Sequence, residues 1–576
     1  MGKGNGSKDL DTDRADLFGE ISHPMRIRIL DALERKPMGF AELGRAVGIE
    51  SGGHLSFHLT KLGHLIQTDS RGDYTLTVEG KEALWLVHGP REMPPAWEVA
   101  KNRAHRIAVL PFTNMSPDPD GEYLAEGMTE EIISTVSGIS GLEVISRTSV
   151  MGYKGTNKRI EEIGRELKVG SVLEGSFRKV ARRIRVTVQL IDVSGDKHLW
   201  GQNYDRNLGD ILSVQSEVAR KVANALRVKI ASPEAKRIER GPTKSATAYT
   251  LYLKGKYFWN KRGIDDVRRA LEYFELAVHE DPDYAMGFAC ISDCCRVLRS
   301  NWGVEPEANL ERAKKEADRA LELDPELAEA HTSKAALLSD EYDLRQAERE
   351  FRRAIELKPS YAEAHQWYYN LLVRQGRWVE ALEQIEKAVK LGPLSPMIHA
   401  NHGDYYVFSR DYGRAIGPYR KAVELGFGHA RRTMAWAYGM MKQFDDMKRE
   451  YEAYVNLNEN SNPLAKLKAD VNAAYLMGDK ESVRRRLPEL EALFHDGKGP
   501  SAYFIGAFQL FLGEKDKGFE WMELSYSKRE HDLMDIKNDP ELDGVRTDPR
   551  YLALVKRLGL ERAWKSNHPM PSPHNA

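Results

Sequence analysis

The chain has 576 residues, with 85 Lys and Arg against 86 Asp and Glu, a formal net charge of −1 and a mean hydropathy of −0.54. At roughly 150 residues per domain this implies three to four domains, and the near-zero charge excludes a global pull toward nucleic acid or membrane. No run of about eighteen apolar residues is present, and the opening MGKGNGSKDLDTD lacks the apolar core of a signal peptide, so the chain is expected in the cytosol, away from membranes.

Residues 1–16 are Gly-, Lys- and Asp-rich and are expected to be disordered. GKGNGSK within them has the look of a phosphate loop but lacks a preceding strand and the G-K-[ST] ending. Over 17–88 the pattern predicts a small DNA-binding unit. Ser22-His23-Pro24 opens a first helix with an apolar face of Ile27, Leu30 and Leu33, and Phe40 to Val47 makes a second. Glu50 to Ile66 makes a third, with Leu55, Leu59 and Leu62 at i, i+4 and i+7 on its inward face. Its outward face offers His54, Ser56, Phe57, His58 and Lys61, groups suited to groove edges, and small residues from Ser51 onward allow close approach to phosphate. Thr68 to Thr77 reads as a hairpin with a Gly-Asp tip, placing Arg71 on a wing, and Val78 to Val87 as a closing helix. The run SFHLTKL and the opening HPMRIRIL resemble a winged helix-turn-helix of the ArsR-like type, without that group's metal-binding cysteine pairs. The resemblance implies double-stranded DNA as partner, and the small area of one half-site contact favours a homodimer. Charge opposes this: residues 1–90 carry eleven Lys and Arg against thirteen Asp and Glu, a net of −2, so affinity for random DNA is expected to be weak.

A Pro- and Gly-containing linker over 89–105 is followed by a change of texture across 106–230. Strands are predicted at Arg106 to Phe112, Leu142 to Ile145, Val172 to Val180, Ile184 to Val193 and His198 to Tyr204. Helices are predicted at Glu122 to Ile139, Arg159 to Leu167 and Asp210 to Leu226, giving the order β-α-β-α-β-β-β-α of a mixed α/β layer fold. IAVLPFTNMSPDPDGEYLAEGMTEEI, VISRTS, IGRELKVGSVLEGSFRK, VTVQLIDVSGDKHLW and YDRNLGDILSVQSEVA follow in order, and this segment resembles the TolB amino-terminal-like domain. That family implies signalling and assigns no catalytic residue. Thr148 or Ser149 is expected to cap a turn. The cluster Arg178, Lys179, Arg182, Arg183 and Arg185 is expected to be a solvated hairpin turn.

A second linker is expected over 231–245, then an all-α array over 246–560 and a tail over 561–576. Ala313, Ala347, Ala381 and Ala415 are 34 residues apart; so are Ala320, Ala354, Ala388 and Ala422, and Pro325, Pro359 and Pro393. Small residues at helix contacts and proline at the turns, with this period, are the tetratricopeptide signature. His331, His365 and His399 repeat in step. Packed helices lie about 8–10 Å apart, too far for such a ladder to share one metal ion, so the histidines are expected to fill space. Cys290, Cys294 and Cys295, odd in number and clustered, argue against a disulfide framework and are expected to be buried and free. The stacked repeats should form a superhelix whose groove displays Glu363, Gln366, Asn370, Arg374, Asp404 and Phe408 to a protein or peptide.

The chain as a whole is therefore expected to be a DNA-binding transcriptional regulator with a signalling α/β domain and an interaction array. The alternative is a scaffold whose winged helix binds protein. No nucleophile elbow, phosphate loop, zinc signature or strand-end carboxylate pair is present, so neither enzymatic activity nor a metal or cofactor is expected.

Overall fold

The structure is a computed structural model that describes residues 23–49, 51–69, 72–77, 105–116, 121–181, 183–195, 197–302, 304–458, 464–497 and 499–560. The expected disordered start, the closing helix Val78 to Val87, the linker over 89–105 and the tail lie outside the described residues, apart from His105, which lies next to the first strand of the sheet. Two compact units divide the chain, one within residues 1–95 and the other over 96–562.

In the first unit, α1 (Pro24–Arg35), α2 (Phe40–Val47) and α3 (Gly52–Leu62) are followed by β1 (Ile66–Thr68) and β2 (Tyr74–Leu76), an antiparallel pair. His23 caps α1, its Nδ1 accepting from the Met25 N–H at 3.1 Å, and Pro24 occupies the first helical position. Gly48 ends α2 in the left-handed region at φ 74°, which lets the chain turn directly toward α3. Ile29, Leu30, Leu33, Leu43, Leu55 and Leu62 form the centre of a single apolar core.

The second unit begins with a mixed six-stranded sheet, built from the five strands that the hydrophobic runs predict and a short sixth, Thr113–Asn114, that they do not. β3 (Arg106–Val109) lies parallel to both β5 (Glu143–Val144) and β6 (Ser171–Val180), and β4 (Thr113–Asn114) extends alongside β6. β6, β7 (Arg183–Asp192) and β8 (Lys197–Asn207) continue antiparallel, giving the order β5-β3-β6-β7-β8. Every residue of β3 is buried because the strand is internal and covered on its faces. Four helices belong to this layer: α4 (Gly121–Ser137), α5 (Arg147–Val150), α6 (Ile160–Leu167) and α7 (Ile211–Ala225). The stripe Leu124, Met128, Ile132 and Val136 of α4 is fully buried, which accounts for its spacing of four. Residues 232–240, expected within a linker, instead form α8 (Ser232–Arg240). Pro233 and Glu234 start it, the Glu234 carboxylate accepting from Ala231 N–H at 2.9 Å, and Ile238 anchors it.

The array then runs as helical hairpins. They comprise α9 (Ala246–Trp259) with α10 (Ile264–Glu280), α11 (Ala285–Trp302) with α12 (Pro306–Leu323), α13 (Ala328–Asp340) with α14 (Leu344–Leu357) and α15 (Ala362–Arg374) with α16 (Trp378–Leu391). Four more follow: α17 (Pro396–Phe408) with α18 (Tyr412–Glu424), α19 (Ala430–Met440) with α20 (Phe444–Asn458), α21 (Leu464–Leu476) with α22 (Lys480–His495), and α23 (Ala502–Leu512) with α24 (Lys515–Ser527). Two 3₁₀ turns, His531–Asp535 and Pro540–Val545, and α25 (Pro549–Arg557) close the described chain. All eight alanines of the two periodic series are fully buried, since only a methyl fits where the paired helices meet. Gly403 makes the same point: a Cβ there would meet the Tyr419 ring at 2.5 Å. The histidines at 331, 365 and 399 seal the turns, each bonding through Nε2 to the carbonyl of the proline six residues earlier, at 3.0, 3.0 and 2.8 Å. Cys290, Cys294 and Cys295 are buried free thiols. Among the described residues no helix is long and apolar enough to cross a membrane.

Candidate functional site

Ser51, just before α3, and His54, Ser56, Phe57 and Lys61 on it all stand exposed, Phe57 at 52 %. They share one surface because Leu55, Leu59 and Leu62 hold the opposite side of the helix in the core. No acidic residue occurs from Gly52 to Leu62, so the unit's negative balance is carried elsewhere. His58 requires a correction: it is 3 % exposed and faces inward. Its ring lies 4.7 Å from that of His23 and 5.5 Å from that of His54, and its Nδ1 has no hydrogen-bond partner among the described residues. Burial, aided by the positive surroundings of His23, His54 and Arg26, holds its pKa below the usual histidine value. Arg71 lies outside the described residues. The sequence reading passed over Phe40, 40 % exposed on α2, whose ring edge is 3.6 Å from a Cβ built at Gly52. Its position at the first residue after Gly39, on a helix edge, was the available signal.

The predicted groove is differently disposed. The α/β layer and the array share one apolar core that runs from β3 through α4 and α9 to α13. Where α4 meets α9 the contact is ionic as well. Glu130 bonds Lys256 at 2.6 Å, Arg147 at 3.0 Å and Asn260 at 3.0 Å; burial works to raise its pKa, but Lys256 and Arg147 outweigh it and hold the carboxyl at about 2. Next to it, Glu131 accepts from the Tyr252 hydroxyl at 2.7 Å, and burial lifts it to about 7.

Farther along, the layer rests on the turns between repeats through polar contacts. Ser360 Oγ accepts from Val144 N–H at 3.2 Å and donates to the Leu142 carbonyl at 2.8 Å, which covers the free edge of β5. Ser146 N–H donates to Leu391 O at 2.7 Å, and Ser149 Oγ accepts from Leu394 N–H at 3.0 Å, so Ser149 serves the array and caps nothing local. Glu143 joins Arg106 at 3.3 Å to Lys387 at 2.6 Å. Burial opposes its ionisation, and the lysines and Arg106 overcome that and keep its pKa low.

The opposite ends of the same first helices hold the end of the chain. Asn538 donates to Val373 O at 3.0 Å, Arg410 pairs with Asp543 at 3.1 Å, and the rings of Tyr342 and Tyr526 lie 5.7 Å apart. Arg374, expected to face a ligand, is 5 % exposed and pairs with Asp535 at 3.5 Å, which corrects that expectation. Gln366 is spent on Asn401 at 2.8 Å, and Asp404 accepts from Tyr419 at 2.6 Å and Asn401 at 3.2 Å. Asn370 and Phe408 are half-buried, Phe408 against a separate apolar core of the array that includes Tyr369, Tyr405 and Tyr419, and Glu363 is exposed. The terminal turns thus cover the expected groove at Arg374, and bonds between neighbouring array helices engage Gln366 and Asp404.

Residues 103–220 match the family described as "HilA/YgeH-like transcriptional regulator, second domain". Residues 337–396 and 369–430 match the tetratricopeptide repeat, and residues 14–87 a domain of unknown function, DUF7347. The chain thus combines a HilA-like transcriptional-regulator domain with a protein-interaction array. A curated relative from Rhizobium meliloti (strain 1021), named "Putative adenylate cyclase 3", is 39% identical over 237 residues, 40% of each chain. The expectation that this chain is not an enzyme is overturned by that relationship. The chain spans about two fifths of that relative's length. Among solved structures, one titled for Pseudomonas aeruginosa pilF is 21% identical over 35% of this chain and 93% of its own, with a TM-score of 0.28. A human IFIT1 dimer with PPP-AAAA is 16% identical over 60% of this chain and 77% of its own, with a TM-score of 0.35.

Proposed function

We propose that the chain is a DNA-binding transcriptional regulator, with an ArsR-like winged helix in its first unit and a TolB-like α/β layer that receives a signal. The observation that carries this reading is the exposed, acid-free face of α3 set on a compact three-helix core with a following hairpin. The match of 103–220 to a transcriptional-regulator domain supports it independently. The helix would lie in a major groove, with His54, Ser56 and Phe57 toward base edges. Ser51 and Lys61 would meet phosphates, and Arg71 the adjoining backbone or minor groove. A homodimer would supply the second half-site that one such helix lacks. The remaining open parts of the array, Glu363 among them, would take a protein or peptide. Lys61→Ala is expected to weaken DNA binding and to lower the salt slope by about one unit; an unchanged slope removes Lys61 from the phosphate contacts.

A second reading, nucleotide cyclisation, is favoured by the 39% identical relative. Cyclic AMP formed from ATP by the purified chain would establish it. No product above the level of a heat-inactivated control would set it aside.

A further inference from the structure

We infer that a cleft between α18, α19 and α20 binds a small organic anion carrying an apolar or aromatic body. Its volume is about 460 Å³, within the range of roughly 300–1,000 Å³ typical of small-molecule sites. The floor is apolar: Val423 of α18 with Met434 and Tyr438 of α19, the last two buried. The rim is charged, and its pairs leave a positive remainder. Arg431 is held by the buried Glu450 at 2.5 Å, Arg449 by Asp446 at 2.5 Å, and Glu424 is answered by Lys421 at 3.3 Å. Arg420 lines the cleft, stands exposed, and has no hydrogen bond or ion pair among the described residues. A guanidinium fork left free beside two fixed ones suits the planar oxygens of a carboxylate or phosphate, while the floor takes the body.

In the preceding repeat, Lys387 and Lys390 reach the α/β layer through Glu143, at 2.6 and 3.8 Å. Thirty-four residues later Lys421 and Glu424 hold each other instead. The turn 426–429 makes only local backbone hydrogen bonds among the described residues. The row of turns that seats the layer therefore continues one repeat past it, and the cleft opens there.

The test is calorimetric titration of the full chain with phenyl phosphate and with benzoate, using benzylamine as the cationic counterpart. The expected result is saturable binding of at least one anion, none of benzylamine, and about tenfold weaker binding by Arg420→Gln. Preference for the ester or the carboxylate identifies the head group. Arg420→Gln breaks no bond and should fold, checked by circular dichroism; Val423→Trp, which fills the floor, should abolish binding. Equal binding of benzylamine, no binding of either anion into the millimolar range, or affinity unchanged in both variants overturns the inference.

Discussion

Glu131 places a pH dependence inside the contact between α4 and α9. The residue is 6 % exposed, and burial raises its pKa from 4.5 to about 7. The folded state therefore binds more protons than the unfolded state between those values, so this group's contribution is intact below pH 4.5 and is lost as pH rises through 7. Glu131→Gln keeps an acceptor for Tyr252 and should raise stability at pH 8 by on the order of 3 kcal/mol, with little gain at pH 4.5. Urea midpoints at the two pH values measure the difference; an equal gain at both would show that the burial of charge is not its origin. His58 makes a second case. A buried ring nitrogen without a partner costs about 1–3 kcal/mol, so His58→Leu should leave the first unit as stable or more so, and a lower melting temperature would show that the ring is bonded. The inward position of His58 was legible. A helical face runs i, i+3, i+4, i+7, which from Leu55 includes 58 as well as 59 and 62; the polar side chain obscured a pattern already present.

At the scale of elements, the sheet and the paired helices were readable because burial imposes their periods directly. The alanines 34 residues apart are buried without exception, and the stripe on α4 faces one core. The polar seam was not readable. Arg106 donates to Lys390 O at 2.5 Å across 284 residues, and Val144 bonds Ser360 across 216, and no local pattern encodes such pairs. Two substitutions test these contacts. A Cβ at Gly127 would meet the Leu253 side chain at 2.7 Å, so Gly127→Val should destabilise the α4–α9 packing by about 1–3 kcal/mol, read from thermal unfolding of the full chain. Glu143→Ala removes the carboxylate from the buried Arg106 guanidinium, which also donates to the Lys168 and Lys390 carbonyls, and should cost about 2 kcal/mol. A loss below about 0.5 kcal/mol would place the pair among those that contribute nothing measurable.

Over the second unit as a whole, the array is closed upon its own chain at both ends of its first helices. The α/β layer rests on one row of turns, and the terminal turns rest on the other. A partner is thereby limited to surfaces that these contacts leave open, such as the neighbourhood of Glu363. The sequence showed the paired-helix array but not what it holds, since periodicity reports how repeats stack and is silent on what lies against them. On the proposed function the exposed face of α3 contacts DNA. It is tested most directly by selecting binders for the full chain from a random duplex pool, and then measuring their affinity at about 50 and 200 mM salt. The expected result is an enriched motif whose binding falls steeply between those concentrations and is weakened by Lys61→Ala. Absence of any enriched motif at the lower salt would contradict it, and would point to a scaffold whose first unit binds protein.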